Sequence, residues 1–382
     1  MSEIRVDTIS EKTSGSGTTV SNLKNPNQPF RNLIINGDMK IAQRGTSTTG
    51  LGDGDSGYYT CDRWAFTEGG SSAAVFTQTQ STDVPTGQGF STSLKMDCTT
   101  ADTSLASNEI FRIDHRIEGQ FLQHLAKGTS SAKKVTLSFW VKSSKTGTHI
   151  VRYKDQDNSR HICAAYTIAS ADTWEHKTMT FDGDTTGAFD NDNAKSLQIE
   201  WYLFAGSDYT SGTLATSWAS STDANSGVGQ VNVADSTSNN WYLTGVQLEV
   251  GDAATDFEHL PRDVQLQRCQ RYYQKLSGAY AQNAFITNGF YNGASQFQGS
   301  YSYMCNMRAA PSLLHTAGTS YYAVARVLSS DYVDEINGLK LYSPNDQAGL
   351  IYWDGASGTA GGGGVLYINS SSVTEAALSA EL

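Results

Sequence analysis

The chain has 382 residues, enough for two or three domains, and only 17% of them are charged, against about 25% in an average globular protein. A net charge of −11, with no Lys/Arg run longer than two, excludes general nucleic-acid binding and attraction to anionic membranes, both of which need basic patches. Five scattered cysteines, Cys61, Cys98, Cys163, Cys269 and Cys305, form no C-x-x-C pair and read as reduced thiols. With no basic-then-apolar leader and no apolar run of about 20 residues, the expectation is synthesis in a reducing cytosol and no membrane insertion.

Residues 1–30 combine a brief alternating strand, Ile4, Val6 and Ile9, with a TSGSGTT stretch and the Pro26 and Pro29 pair. Such a segment cannot close a core by itself, so it reads either as a disordered leader or as an extended arm that adds its strand to another protein. From 31 to about 260 one strand pattern follows another. LIING and DMKIAQ flank Asn36-Gly37, a hairpin-type turn signal, and YYTCDRWAF, KKVTLSFWVKS and SLQIEWYLF alternate with Gly, Ser and Asp turns. Their spacing predicts an all-β, antiparallel two-sheet sandwich of jelly-roll type. One helical insertion is expected in IEGQFLQHLAKG, where Ile117, Phe121, Leu122 and Leu125 share a face and Gly128 ends it.

The segment 241–276 joins a strand pattern to a helix pattern. Leu243, Val246, Leu248 and Val250 alternate, Gly251 and Asp252 interrupt, and beyond Pro261 the residues Leu266, Cys269, Tyr272, Tyr273 and Leu276 fall at helical spacing. A connecting helix over 261–276 must bury this stripe, either on the chain's own sheet or as an oligomer contact with copies of itself. Residues 277–382 are again aromatic, Gly-rich and strand-like, which predicts a second small β-sandwich.

Motifs for chemistry are missing. No metal-ligand spacing, calcium-loop template, nucleophile elbow or phosphate loop occurs, so no cofactor, metal or catalytic residue is assigned. A carboxylate pair of the glycosidase kind needs only proximity in space, which leaves a polysaccharide depolymerase open. What remains is surface. Tyr291, Tyr301, Tyr303, Tyr321, Tyr322, Tyr352 and Trp353, beside Asn, Asp and Gln, are candidates for stacking on sugar rings, against the alternative that they fill a core.

The runs RNLIINGDMKIAQRGT, YTCDRWAF, RIEGQFLQHL, KKVTLSFWVKS and WYLTGVQLEVGDAATDFEHLPRDVQLQRCQRYYQK, in this order over residues 30–276, resemble tailed-phage tail fibre and minor virion structural proteins. That resemblance implies a carbohydrate-binding-module-like jelly roll in a homotrimeric virion appendage, assembled in the host bacterial cytoplasm. Its partners would be phage tail or capsid proteins, reached through residues 1–30, and host surface polysaccharide at a receptor-facing tip in 277–382. A head fibre or capsid decoration protein is the alternative within the particle. The resemblance carries over no catalytic or metal residue.

Overall fold

The computed structural model describes residues 30–278, 280–326 and 333–382, so the expected anchor strand at Ile4, Val6 and Ile9 lies outside the described residues. Alternation between apolar and polar side chains produces two facing sheets, as period-two strands must when one face is buried. In Val135–Ser143, for example, Leu137, Phe139 and Val141 point into the core while Trp140 between them faces outward. One sheet has six strands in the order Ser47–Leu51, Val75–Ser81, Ser93–Thr100, Asn240–Val250, Val135–Ser143 and Glu175–Phe181. The other has seven, in the order Ala219–Ser220, Arg160–Ile168, Gly147–Asp155, Lys195–Ala205, Ile110–Glu118, Trp64–Gly69 and Gly57–Tyr58. All pairings are antiparallel, and strands far apart in sequence lie side by side, giving the jelly-roll sandwich. Trp64, Trp201 and Trp241 are fully buried between the sheets, each contributing about 2–3 kcal/mol by leaving water.

The C-terminal part forms a second sandwich with its own core. A seven-stranded sheet runs in the order Val333–Ile336, Tyr322–Arg326, Gly363–Ile368, Ala284–Tyr291, Gln296–Ser302, Ala348–Asp354 and Lys340–Tyr342. A three-stranded sheet, Tyr273–Lys275, Ala376–Ser379 and Ser312–His315, packs Leu378 and Ala376 into the same core as Tyr322, Ile351 and Leu366.

Three local expectations are corrected. Residues 31–43 do not form a hairpin. They make an irregular plug pinned by two amides. Asn32 Nδ2 donates to the Val246 carbonyl (3.0 Å), its Oδ1 accepts from the Leu248 amide (3.1 Å), and Asn36, at φ 58°, donates from Nδ2 to the carbonyls of Ile41 and Asp62. Gly37 sits so close to Val246 that a Cβ would lie 2.1 Å from its carbonyl oxygen, which requires glycine there. The second correction concerns IEGQFLQHLAKG, which gives two short 3-10 turns, Gly119–Phe121 and Gln123–Leu125, rather than an α-helix. Leu122 and Leu125 are buried as expected, whereas Phe121 is 43% exposed.

The third is the helix after Pro261. It spans Arg262–Gln270 and stops, and Tyr273–Lys275 becomes a strand paired with Ala376–Ser379. Aromatic residues are modest helix formers, and the backbone ladder of the small sheet wins. The residues expected at an oligomer contact are covered by the chain itself. Cys269 and Tyr272 pack with Ile35 and Ile41, Leu266 lies against the same cluster, and Leu276 belongs to the C-terminal core. Tyr273 is buried as well, its ring under the Arg44 guanidinium (3.7 Å) and its hydroxyl donating to Glu375 (3.1 Å).

A charged clasp joins the two sandwiches where this segment passes. Arg63, fully buried and at φ 73°, lies over the Tyr272 ring (3.5 Å) and pairs with Glu381, which also binds Arg44 (3.1 Å). Burial alone would weaken protonation of Arg63, but Glu381 together with Tyr58 and Tyr272 turns the shift upward, so the guanidinium stays charged. Arg271 holds Glu118 in a bidentate pair (2.6 and 2.8 Å), and Tyr272 donates to the same carboxylate. Arg308 and Arg116 bind the carbonyls of Ala380, Glu381 and Leu382.

Two outcomes are expected. Glu381→Gln leaves Arg63 buried without its counter-charge and should lower stability by about 3 kcal/mol in urea unfolding, with part of the loss recovered in the Arg63→Met/Glu381→Gln double variant. An unchanged midpoint would show that the clasp adds nothing. The second concerns acid. His149, stacked on Tyr166 at 5.4 Å, is pushed by burial down to about 4. It is neutral in the folded chain but takes up a proton near 6.5 when unfolded, so its contribution is intact above pH 6.5 and is lost as pH falls toward 4. Thermal melts across that window should flatten in His149→Phe relative to the parent; parallel curves would refute the assignment.

Candidate functional site

The outward face of the C-terminal seven-stranded sheet holds a cleft built by adjacent strands in register. Gln296 and Gln298 flank the buried Phe297 and therefore both face outward. Across the ladder Gln298 stands opposite Tyr352 and Gln296 opposite Asp354, while in the next strand Lys340 stands opposite Tyr352 and Tyr342 opposite Leu350. Pairing in register thus gathers two phenols, two amides, a carboxylate and an ammonium on one patch. With Asn292 and Leu350, the phenols, the amides and the carboxylate line a recess of about 320 Å³, and Lys340 sits beside it on Asp354.

The two tyrosine rings are 6.1 Å apart and nearly perpendicular, and Tyr342 is 60% exposed. Lys340 Nζ binds Asp354 Oδ2 (2.8 Å), and Gln296 Nε2 donates to Asp354 Oδ1 (2.7 Å). These contacts hold the Asp354 carboxyl below its usual range, Lys340 being the larger cause, and raise Lys340 in turn. Asn292 Nδ2 donates to Gln296 Oε1 (3.3 Å), which fixes the orientation of that amide. Among the described residues none bonds the Gln298 amide or the hydroxyls of Tyr342 and Tyr352. Phe290, 48% exposed and opposite Gln298, extends the apolar rim. The arrangement offers aromatic faces for the C–H side of a ring and free donors and acceptors for hydroxyls.

Of the seven aromatic residues named from sequence, the structure brings only Tyr352 into this cleft. Tyr291, Tyr301 and Tyr322 are corrections: all three are core residues. Tyr291 packs on Phe297 and donates to Asp334, the Tyr301 hydroxyl reaches the Leu276 carbonyl (3.1 Å), and that of Tyr322 the Thr316 carbonyl (3.0 Å). Tyr303, Tyr321 and Trp353 are half-buried against the same core, Trp353 on the side opposite Tyr352. Tyr342, Asn292, Gln296, Gln298, Lys340 and Asp354 were not singled out from sequence. For four of them the signal is the alternation itself: SQFQGS places Gln296 and Gln298 on one face and GLKLYSP does the same for Lys340 and Tyr342, but which strands adjoin is not local information.

Among the described residues no group of His, Cys, Asp or Glu is placed to hold a metal, and no helix is long and apolar enough to cross a membrane. A larger recess of about 400 Å³ lies between the jelly roll and the helix Arg262–Gln270, lined by apolar residues such as Leu33, Ile117 and Phe121 and equally by polar ones such as His115, Arg116 and Arg268.

No family model matches the chain, and no curated protein does. Among solved structures it is similar to the enzymatically active domain of bacteriophage CBA120 tailspike protein 4, at 14% identity and a TM-score of 0.33 over 59% of this chain and 22% of that one. It is also similar to a CBM4 structure (13%, TM-score 0.29, 57% and 99%) and to the family 11 carbohydrate-binding module of the cellulosomal cellulase Lic26A-Cel5E of Clostridium thermocellum (12%, TM-score 0.27, 54% and 97%). The chain spans about a fifth of the tailspike's length, and at these values the likenesses assign neither ligand nor activity.

Proposed function

We propose that this protein is an attachment component of a tailed-phage particle, most simply a tail fibre or spike, that holds host-surface glycans in the cleft between Tyr342 and Tyr352. The cleft carries the reading: crossed aromatic rings beside uncommitted hydroxyls and an uncommitted amide suit a sugar ring, which is apolar on its faces and polar at its edge. The sequence resemblance over residues 30–276 supports the particle, with residues 1–30 as the anchor. Each contact of this kind is weak, and several copies on one particle would multiply it through effective concentration. The homotrimer remains part of the proposal, with its seam elsewhere than the 266–276 stripe.

Binding is favoured over hydrolysis because the lining of the cleft contains one carboxylate, Asp354, already engaged by Lys340 and Gln296. Glycoside hydrolysis by the usual routes needs two.

Tyr352→Ala should weaken binding of the purified chain to host-surface polysaccharide about tenfold in calorimetry, with an unchanged melting temperature, since the ring is partly exposed. Parent-like affinity in the variant, or no affinity in the parent, would overturn the reading. Release of reducing ends from the same polysaccharide would replace it with a depolymerase.

A further inference from the structure

The recess of about 400 Å³ between the jelly roll and the helix Arg262–Gln270 shares no lining residue with the tyrosine cleft, and its walls differ in kind. Leu33 and Ile35 of the plug line it together with Ile117, at the end of the strand Ile110–Glu118. Phe30 and Phe121 line it too, yet they are 61% and 43% exposed, so two large apolar rings stand where the recess opens to solvent. Exposed rings beside an apolar hollow suit the entry of an apolar group.

The charges on the lining are all of one sign. Arg116, Arg268 and Arg271 belong to it, and no Asp or Glu does. The carboxylates behind the lining are committed elsewhere. Glu118 is held by Arg271, Tyr272 and Gln120, Asp114 by Arg116 (2.7 Å) and Thr67, and Glu258 accepts from the backbone amides of Phe30 (2.5 Å) and Asn32 (3.0 Å). Arg271 and Arg116 are thereby matched, and Arg268 is not. Its Nη1 is buried without an acceptor, its Nη2 has only a long contact to the Asn32 carbonyl (3.4 Å), and among the described residues no carboxylate lies within ion-pair distance of it. Burial outweighs the pull of Cys269, Glu258 and Tyr272 and lowers the Arg268 pKa. The two histidines on the lining add no counter-charge: His115 takes the Ile35 amide on Nε2 (3.3 Å) and is kept neutral by burial and by Arg63 and Arg268, and burial and Lys133 lower His124. A half-buried guanidinium with a donor to spare is costly until an anion meets it.

We infer that this recess binds a small amphipathic carboxylate, with its apolar body against Leu33, Ile35 and Ile117 and its carboxylate on Arg268. One unmatched cation calls for one negative charge, and the planar guanidinium fork fits a carboxylate. A sugar is the poorer occupant, since its hydroxyls would meet apolar walls, and an inorganic anion would leave those walls in water. The volume falls in the range of small-molecule sites. Nothing in this assignment rests on the tyrosine cleft, so either can fail without the other.

The experiment is calorimetric titration of the full chain with octanoate, with octanol and acetate as comparisons that lack the charge and the apolar body in turn. The parent should bind octanoate at least about tenfold more tightly than either. Arg268→Gln should bring octanoate down to the level of octanol, while its ligand-free melting temperature equals or exceeds the parent's because an unmatched charge has been removed; Tyr352→Ala should leave octanoate binding unchanged. Absence of octanoate binding in the parent, equal affinity for octanoate and octanol, or a preference for octanoate that survives in Arg268→Gln would each overturn the inference. So would a lower melting temperature in Arg268→Gln, which would show that the fold already matches this guanidinium.

Discussion

The buried pair of Arg63 and Glu381, with Tyr272 beneath the guanidinium, is the interaction on which the arrangement of the molecule depends. It ties together three distant parts of the chain: the turn before Trp64–Gly69, the segment leaving the helix, and the last residues. A guanidinium so deeply buried is tolerable only with a counter-charge and further acceptors, and Glu381 and the Arg116 carbonyl supply them. Because Glu381 lies two residues beyond the strand Ala376–Ser379 of the C-terminal sandwich, the ion pair holds that sandwich against the jelly roll. Arg271 and Glu118 repeat the same logic one step away.

This explains why most of the apolar stripe in 262–276 is buried within the chain. Spacing alone makes Leu266, Cys269, Tyr272 and Leu276 look like the stripe of a helix seeking a partner. The partner is internal, and it is partly ionic. Tyr272 goes to Arg63 and Glu118, Tyr273 to Arg44 and Glu375, so two consecutive aromatic residues are buried in different surroundings. No periodicity encodes that.

The fold class was legible because period-two alternation is a local consequence of a half-buried sheet, and it marks strands such as Val135–Ser143 and Asn240–Val250 plainly. Backbone satisfied by side chains was not. Residues 31–43 have the composition of two strands around a turn, yet the amides of Asn32 and Asn36 take over the hydrogen bonds a ladder would have supplied. The cleft was legible only in part for a similar reason. Tyr291 and Phe290 are neighbours with equal claim to the surface, and only the sheet decides that Tyr291 goes inward and Phe290 outward. Tyr342 comes opposite Leu350 by pairing between strands, and the ring contact between Tyr342 and Tyr352 exists nowhere in the local sequence.

An aromatic and amide cleft lies on the outward face of the C-terminal sheet. The central claim is that sugar occupies the cleft between Tyr342 and Tyr352. A crystal structure of the full chain with a host-surface oligosaccharide tests it most directly. The account predicts a sugar ring stacked on Tyr352, with its hydroxyls bonded to Gln298 and Tyr342. A saccharide bound elsewhere, with this cleft filled only by solvent, would contradict it.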